Sequence, residues 1–157
     1  MEEFELTQAL MTVGTLYEVR RPRTDAVVYT VKGELMSATP KFHLLDGDKT
    51  LADLSANFIK TKYEIAKDGK PIATLAFPAV AFKKTLTLTV AGKAYAADGG
   101  VFKGVFQCKD DKGATVLEIA KELSIRDTFI VKNGETLPLE VGLLSAVAIH
   151  SRFYEMV

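Results

Sequence analysis

The sequence predicts a mainly β fold with one helix: a closed antiparallel barrel of about twelve strands enclosing a hydrophobic C-terminal helix. Residues 139–149 are apolar almost without a break, and a helix that is apolar on every side must be buried on every side. This run is also shorter than the ~20 apolar residues that a bilayer-spanning helix needs. The preceding chain alternates with a period of two and carries turn signals about every 20 residues, which is typical of a meander of hairpins.

The central helix is predicted over residues 138–154. Pro138 suits the first helical position, where its missing N–H has no partner to lose. Thr136 or Leu137 would then cap the helix, and Thr136 is the better hydrogen-bond acceptor.

Two residues inside this helix need a specific environment. Ser145 can return its hydroxyl to the carbonyl of Val141 and so be buried without an unsatisfied donor. Gly142 lowers helix propensity, and its expected use is a close approach to surrounding backbone.

The rest of the chain divides into strands and turns. Residues 1–13 fit either a short amphipathic turn or an extended arm. Beyond them, β-branched and aromatic residues form short runs, and Asp-Gly between alternating runs is a strong hairpin signal. The predicted strand runs are 16–20, 26–32, 42–45, 51–58, 63–66, 72–77, 84–90, 104–108, 115–121 and 126–131.

The strand count and the apolar helix require each other. An open sheet of this size would expose two edges, which closure into a barrel removes. An eight-stranded barrel has room only for side chains, whereas a helix with its side chains is about 10–12 Å across. A larger barrel threaded by its own C-terminal helix satisfies both conditions.

Composition limits the class of protein. At 157 residues the chain is most simply a single domain, residues 1–157, and its 20 acidic and 20 basic residues cancel. This balance argues against a dedicated nucleic-acid binder. The single cysteine, Cys108, excludes an internal disulfide framework and fits a reducing compartment. The acidic N-terminus does not resemble a signal peptide, so we expect a soluble cytoplasmic protein.

Three segments resemble a known family. They are Tyr17-Glu18-Val19, residues 123–129 (LSIRDTF) and the terminal run 137–149 (LPLEVGLLSAVAI). With the repeated hairpins they resemble the LURP-one-related family over residues 14–154. That family belongs with the tubby C-terminal domain and the phospholipid scramblases, and its fold is a twelve-stranded barrel around a hydrophobic helix.

The resemblance implies a tubby C-terminal-like domain and a link to membrane lipids. Tubby domains bind phosphoinositides, and scramblases are associated with calcium and lipid movement. This chain lacks the proline-rich and cysteine-rich segments typical of scramblases, which argues against lipid scrambling. The matching segments are structural rather than catalytic, so they indicate a fold and a class of ligand.

No catalytic, cofactor or metal site emerges from the motifs. The chain has no phosphate-binding loop and no nucleophile elbow. Asp46-Gly47-Asp48 and Asp110-Asp111 suggest calcium, but neither continues as an EF-hand loop, and turn chemistry explains both. Cys108 is expected to be a buried small hydrophobe, and no carboxylate arrangement marks His43 or His150. We therefore expect a protein that is not an enzyme.

One basic constellation is a candidate site. Lys41, Lys62, Lys84 and Arg126 each stand at the start of an equivalent strand, and meander hairpins would bring those starts to one rim of the barrel. With their neighbours they could hold a phosphorylated headgroup. The alternative is that strand ends carry lysine for solubility, with Asp53, Glu64 and Asp127 cancelling the field. The candidate headgroup-binding residues are Lys41, Lys60, Lys62, Lys83, Lys84 and Arg126.

Two functions remain open at this point. The first is a non-enzymatic binding or tethering module for anionic phospholipid headgroups, peripheral to a membrane. The second is a structural or protein-interaction domain with no small-molecule ligand.

Overall fold

The chain forms one sheet of twelve antiparallel strands, wound into a nearly closed barrel around a C-terminal helix. The computed structural model describes residues 1–9, 14–80, 84–98, 104–122 and 127–154. The predicted fold class is confirmed. The elements are β1 Glu2–Gln8, β2 Leu16–Arg20, β3 Val27–Gly33, β4 Lys41–Asp46, β5 Lys49–Ala56, β6 Lys62–Lys67, β7 Lys70–Ala76, β8 Thr85–Val90, β9 Lys93–Asp98, β10 Val105–Lys109, β11 Thr115–Glu122, β12 Thr128–Asn133 and α1 Leu139–Ile149, followed by a π-helical turn, His150–Tyr154.

The first strand lies between the second and the last strands of the chain and joins them in one sheet. Each strand pairs with the next along the chain from β1 to β9 and from β10 to β12, and β12 returns to β1. Leu6 of β1 lies opposite Phe129 of β12 on one side and Val19 of β2 on the other. Most of the ambiguous segment 1–13 is therefore a strand, while residues 10–13 lie outside the described residues. At the seam, β9 and β10 lie side by side, and no ladder joins their described residues.

Apolar and polar residues alternate along the strands, and the apolar side chains fill the interior of the barrel. In β8, Leu86, Leu88 and Val90 are buried while Thr87 is exposed, as a strand with one face on the core requires. Most of the other strands repeat this pattern, while β1, β11 and β12 each bury two consecutive residues. The largest fully buried wall side chains are Phe4, Leu6, Tyr17, Leu44, Leu54, Tyr63, Ile65, Leu75, Leu88, Phe106, Leu117 and Phe129.

The Asp-Gly signal produces a tight hairpin between β6 and β7. The two-residue turn has positive φ at both positions, 52° at Asp68 and 78° at Gly69. This is the backbone that a right-handed twisted hairpin favours, and Asp-Gly adopts it readily. β6 ends at Lys67 and β7 begins at Lys70, as the signal predicts.

The helix begins one residue later than the sequence predicts. Pro138 occupies the cap position with ψ 143°, and no side-chain hydrogen bond from the described residues caps the helix, so the prediction of Thr136 or Leu137 as cap is wrong. Asn133 holds the approach to the helix instead, because its Nδ2 donates to Leu137 O at 2.7 Å and to Gly134 O at 3.1 Å.

Inside the barrel the helix is buried continuously from Glu140 to Ile149. A Cβ at Gly142 would overlap Oδ1 of Asn133, so the predicted close approach exists but is made to a side chain of β12. The hydroxyl of Ser145 has no hydrogen-bond partner among the described residues. The predicted bond from Ser145 to the carbonyl of Val141 is therefore wrong.

Candidate functional site

The central helix enters the barrel at one rim and ends at the other. It follows the end of β12, and its last turn contacts Tyr17 near the start of β2, Tyr63 near the start of β6 and Lys84 just before β8. We call this end the exit rim; the described connections 34–40, 57–61 and 77–80 lie there. The opposite end, the entry rim, carries the tight turns that begin after Asp46, Lys67 and Val90.

Two loops of the exit rim hold the helix end in place. Tyr63 Oη donates to Ser151 Oγ at 2.8 Å, and Lys60 Nζ lies 3.4 Å from Ser151 O. Arg152 Nη2 donates to Pro78 O at 2.7 Å and to Ala79 O at 3.3 Å. Lys60 thus lies at a carbonyl of the helix C-terminus, where the helix dipole favours positive charge, whereas Arg152 ties the helix end to carbonyls of the loop after β7.

His150 links the helix end to two strands. Its Nδ1 lies 2.6 Å from Tyr17 Oη, and its Nε2 lies 2.9 Å from Asp127 Oδ2. His150 is only 1% exposed. Because the ring is buried, these two contacts hold the helix end against β2 and against the residue that precedes β12.

The carboxyl of Asp127 responds to this environment. Partial burial opposes its ionisation, but the hydrogen bonds and charges of His150 and Lys121 outweigh that effect and lower its pKa. Lys121 Nζ lies 3.4 Å from Asp127 Oδ1. The negative charge of Asp127 is therefore already compensated within the protein.

The four predicted lysines that the structure describes all lie at the exit rim and divide into two pairs. Lys41 and Lys62 are exposed at the starts of β4 and β6, next to the inward-facing Phe42 and Tyr63. Lys60 and Lys84 turn toward the helix end instead, and Lys84 Nζ lies 4.4 Å from the centroid of the Tyr154 ring. Lys83 and Arg126 lie outside the described residues.

A polar groove lies on the outer wall between the two exposed lysines. Ser55 of β5 pairs with Lys41 on one side and with Glu64 on the other. Lys62 and Thr74 line the same groove, an opening of about 200 Å³. Lys41 of β4 and Lys62 of β6 therefore flank β5 at this groove, and the carboxylate of Glu64 lies between the hydroxyl groups of Ser55 and Thr74.

Two of the three acids proposed to cancel this positive charge have partners of their own, although Asp53 lies only one row of side chains from Ser55 on the same outer face of β5. Asp53 Oδ1 lies 2.5 Å from His43 Nδ1, and Glu34 Oε1 lies 2.7 Å from His43 Nε2. The hydrogen bond to Asp53 raises the pKa of His43 and outweighs the opposing effect of partial burial, and Glu34 adds to the rise. With Asp127 also paired, Glu64 is the acid that shares the groove.

Sequence reasoning missed a set of exposed apolar residues at the exit rim. The run 51–58 was predicted as one strand, but β5 ends at Ala56 and Phe58 is 80% exposed. Asn57 causes the break: its Oδ1 accepts the backbone N–H groups of Thr61 and Lys62 at 2.9 and 3.1 Å. Asparagine favours such local turns, so it is the signal that could have placed Phe58 in a loop.

The other candidate groups have structural roles. Asp110 Oδ1 accepts the backbone N–H groups of Lys112 and Ala114, each at 2.9 Å, which is turn chemistry. Cys108 is buried, as predicted, and desolvation raises the pKa of its thiol to about 11. Within the described ranges, no group of three or more His, Cys, Asp and Glu side chains is placed to hold a metal ion.

None of the helices that the structure describes has the length and apolar character needed to cross a bilayer. Comparison with known proteins adds no assignment: no protein-family model matches the chain, and no curated protein matches it.

Proposed function

We propose that this protein is a non-enzymatic binding module that docks on anionic membrane phospholipid headgroups through its exit rim. The observation that carries the proposal is the pair of exposed ammonium groups, Lys41 and Lys62, on either side of the groove at Ser55. Association of this kind is peripheral to the membrane.

The chemistry of the groove matches a phosphorylated headgroup. Lysine ammonium groups donate charge-assisted hydrogen bonds to phosphate oxygens, and the hydroxyls of Ser55 and Thr74 are further donors. Each basic residue near an anionic membrane surface contributes about 1 kcal/mol, so the two lysines together support weak, reversible binding that salt reduces.

The remaining polar groups support binding rather than catalysis. Among the described residues, the ring of His150 is buried away from solvent and Cys108 is a buried thiol with a raised pKa. The resemblance to the LURP-one-related family favours a lipid as the ligand; this support is an analogy of fold.

The test compares charge reversal at the two rims. Wild-type protein should co-sediment with vesicles of phosphatidylcholine and phosphatidylserine at low salt, and not with phosphatidylcholine alone. The double variant Lys41→Glu/Lys62→Glu should lose most of this binding. The matched control, Lys49→Glu/Lys70→Glu, makes the same change at two exposed lysines of the entry rim and should bind as wild type does.

A gain of binding gives a second check. Glu64 shares the groove with Lys62, so Glu64→Gln removes the carboxylate that opposes an anion and should strengthen vesicle binding several-fold. A wild-type protein that does not bind anionic vesicles at low salt would overturn the lipid proposal and leave the alternative of a structural or protein-interaction domain.

A further inference from the structure

Exposed apolar side chains are concentrated at the exit rim. Of the seven large hydrophobic residues exposed among those the structure describes, five lie in three connections of this rim: Leu35, Met36, Phe58, Ile59 and Val80. The other two, Met1 and Val27, lie next to the ends of β1 and β3 at the entry rim. Scattered exposed hydrophobes are normal on a protein surface, whereas a one-sided cluster marks an interaction site.

The three connections are neighbours around the barrel. They join β3 to β4, β5 to β6 and β7 to β8, and these six strands are consecutive in the sheet. The midpoints of successive connections are two strand spacings apart, so neighbouring loops lie about 10 Å from each other. We use the name tip residues for Met36, Phe58, Ile59 and Val80.

A lysine follows each of these loops. Lys41 begins the strand that follows the first loop. Lys60 lies in the second loop and Lys62 begins the strand after it. Lys84 lies at the end of the third connection, just before β8. The apolar tips thus lie beyond the strand ends. The exposed cations Lys41 and Lys62 lie just behind them, whereas Lys60 and Lys84 turn toward the helix end. This order, apolar groups outermost and cations behind, matches the layering of an anionic bilayer, in which acyl chains lie beneath phosphate groups.

We infer that the tip residues insert into the boundary between headgroups and acyl chains of an anionic bilayer, with the exit rim facing the membrane. The inference rests on the proposed function and adds the apolar contact and the orientation of the barrel. A lipid surface accommodates separate protruding side chains without a preformed shape, whereas a protein partner would need a socket for each loop. The exposed lysines, Lys41 and Lys62, supply charge complementarity to an anionic lipid surface and none to an apolar socket.

The backbone conformation of Met36 allows its apolar side chain to be replaced without disturbing the loop. Its side chain is fully exposed and its φ is 64°, a left-handed conformation that asparagine tolerates better than methionine. Met36→Asn therefore removes an apolar tip without straining the loop. The variant Met36→Asn/Phe58→Ser/Ile59→Ser removes three tip residues that pack little against the rest of the protein.

Because the chain contains no tryptophan, a single introduced indole reports the depth of one site. In Phe58→Trp, addition of phosphatidylcholine–phosphatidylserine vesicles should shift the emission to shorter wavelength. Lipids brominated in the acyl chains should quench it. In the control Val27→Trp, at the entry rim, neither change should occur. The triple tip variant should bind these vesicles about tenfold or more weakly than wild type, since full burial of one large apolar side chain alone corresponds to that factor.

The possible results separate this inference from the proposed function. Vesicle binding that depends on Lys41 and Lys62, with no shift or quenching at residue 58, would overturn insertion and keep headgroup docking. No vesicle binding at all would overturn both. A shift in Phe58→Trp that appears without vesicles as protein concentration rises would mean that the loops meet a second copy of the chain, and the lipid inference would fail.

Discussion

His150 Nε2 lies 2.9 Å from Asp127 Oδ2, and this contact ties the last turn of the central helix to the residue that precedes β12. The same histidine contacts Tyr17 through its other nitrogen. The exit rim therefore has a fixed platform beneath its loops, because the helix end cannot move without breaking both contacts.

The Asp127 contact predicts a specific loss of stability in acid. The folded-state pKa of Asp127 is lowered, so its stabilisation is present above the unfolded pKa of about 3.9 and is lost as the pH falls through the folded value. Asp127→Asn should lower the free energy of unfolding at pH 7 by about 1 kcal/mol, since the pair is partly exposed. The variant and wild type should then converge at low pH in denaturant melts. The control variant Asp25→Asn replaces an exposed acid of the entry rim. Its free energy of unfolding should fall between pH 7 and acid by as much as that of the wild type.

The different hydrogen bonding of two serines, Ser145 in the helix and Ser151 in the turn after it, predicts opposite effects of substitution by alanine. The buried hydroxyl of Ser145 has no partner among the described residues, whereas Ser151 Oγ accepts the Tyr63 hydroxyl at 2.8 Å. Ser145→Ala should therefore raise the free energy of unfolding by about 1 kcal/mol, and Ser151→Ala should lower it by about the same amount. Equal effects of the two changes in thermal melts would contradict this account.

The strands and the helix were predictable because each has a strong periodic signal. Leu86 and Leu88 alternate with threonines, and the run after Pro138 is apolar on every side, so local sequence and global packing agree. The same alternation, carried back two residues from Leu86, indicates that Lys84 faces inward. The sequence interpretation instead grouped Lys84 with Lys41 and Lys62 by their position in the repeat. It did not use the inward and outward alternation of side chains along β8.

The contacts of the candidate site were beyond local sequence reasoning. Asp127 and His150 are 23 residues apart and meet only because β12 and the helix run in opposite directions along the barrel. Asn133 likewise meets Gly142 because both flank the turn into the helix. Such pairs depend on the register of strand and helix, which hydrophobic periodicity does not specify to the single residue.

Cys108 predicts slow thiol chemistry in the folded protein. The thiolate is the reactive form, and burial raises the pKa of this thiol to about 11. At pH 7.5 the native protein should react with a thiol reagent far more slowly than the same protein in denaturant. Rapid labelling of the native state would mean that β10 opens readily at the seam, where no ladder from the described residues joins it to β9.

Val147→Asp tests whether the helix is the core of the barrel. Val147 lies near the middle of α1 and is completely buried. A carboxyl group there without a partner costs several kcal/mol in either protonation state, and the whole domain is expected to be stable by only about 5–15 kcal/mol. Most of the variant should therefore be found in the insoluble fraction. Val80→Asp makes the same change at a residue that is 53% exposed and should leave folding unchanged.

Removal of residues 137–157 should be at least as damaging as Val147→Asp, because the barrel would then enclose an unfilled apolar interior. A truncated protein that stayed in solution, melted cooperatively and kept its β-structure would show that the strands fold without the helix.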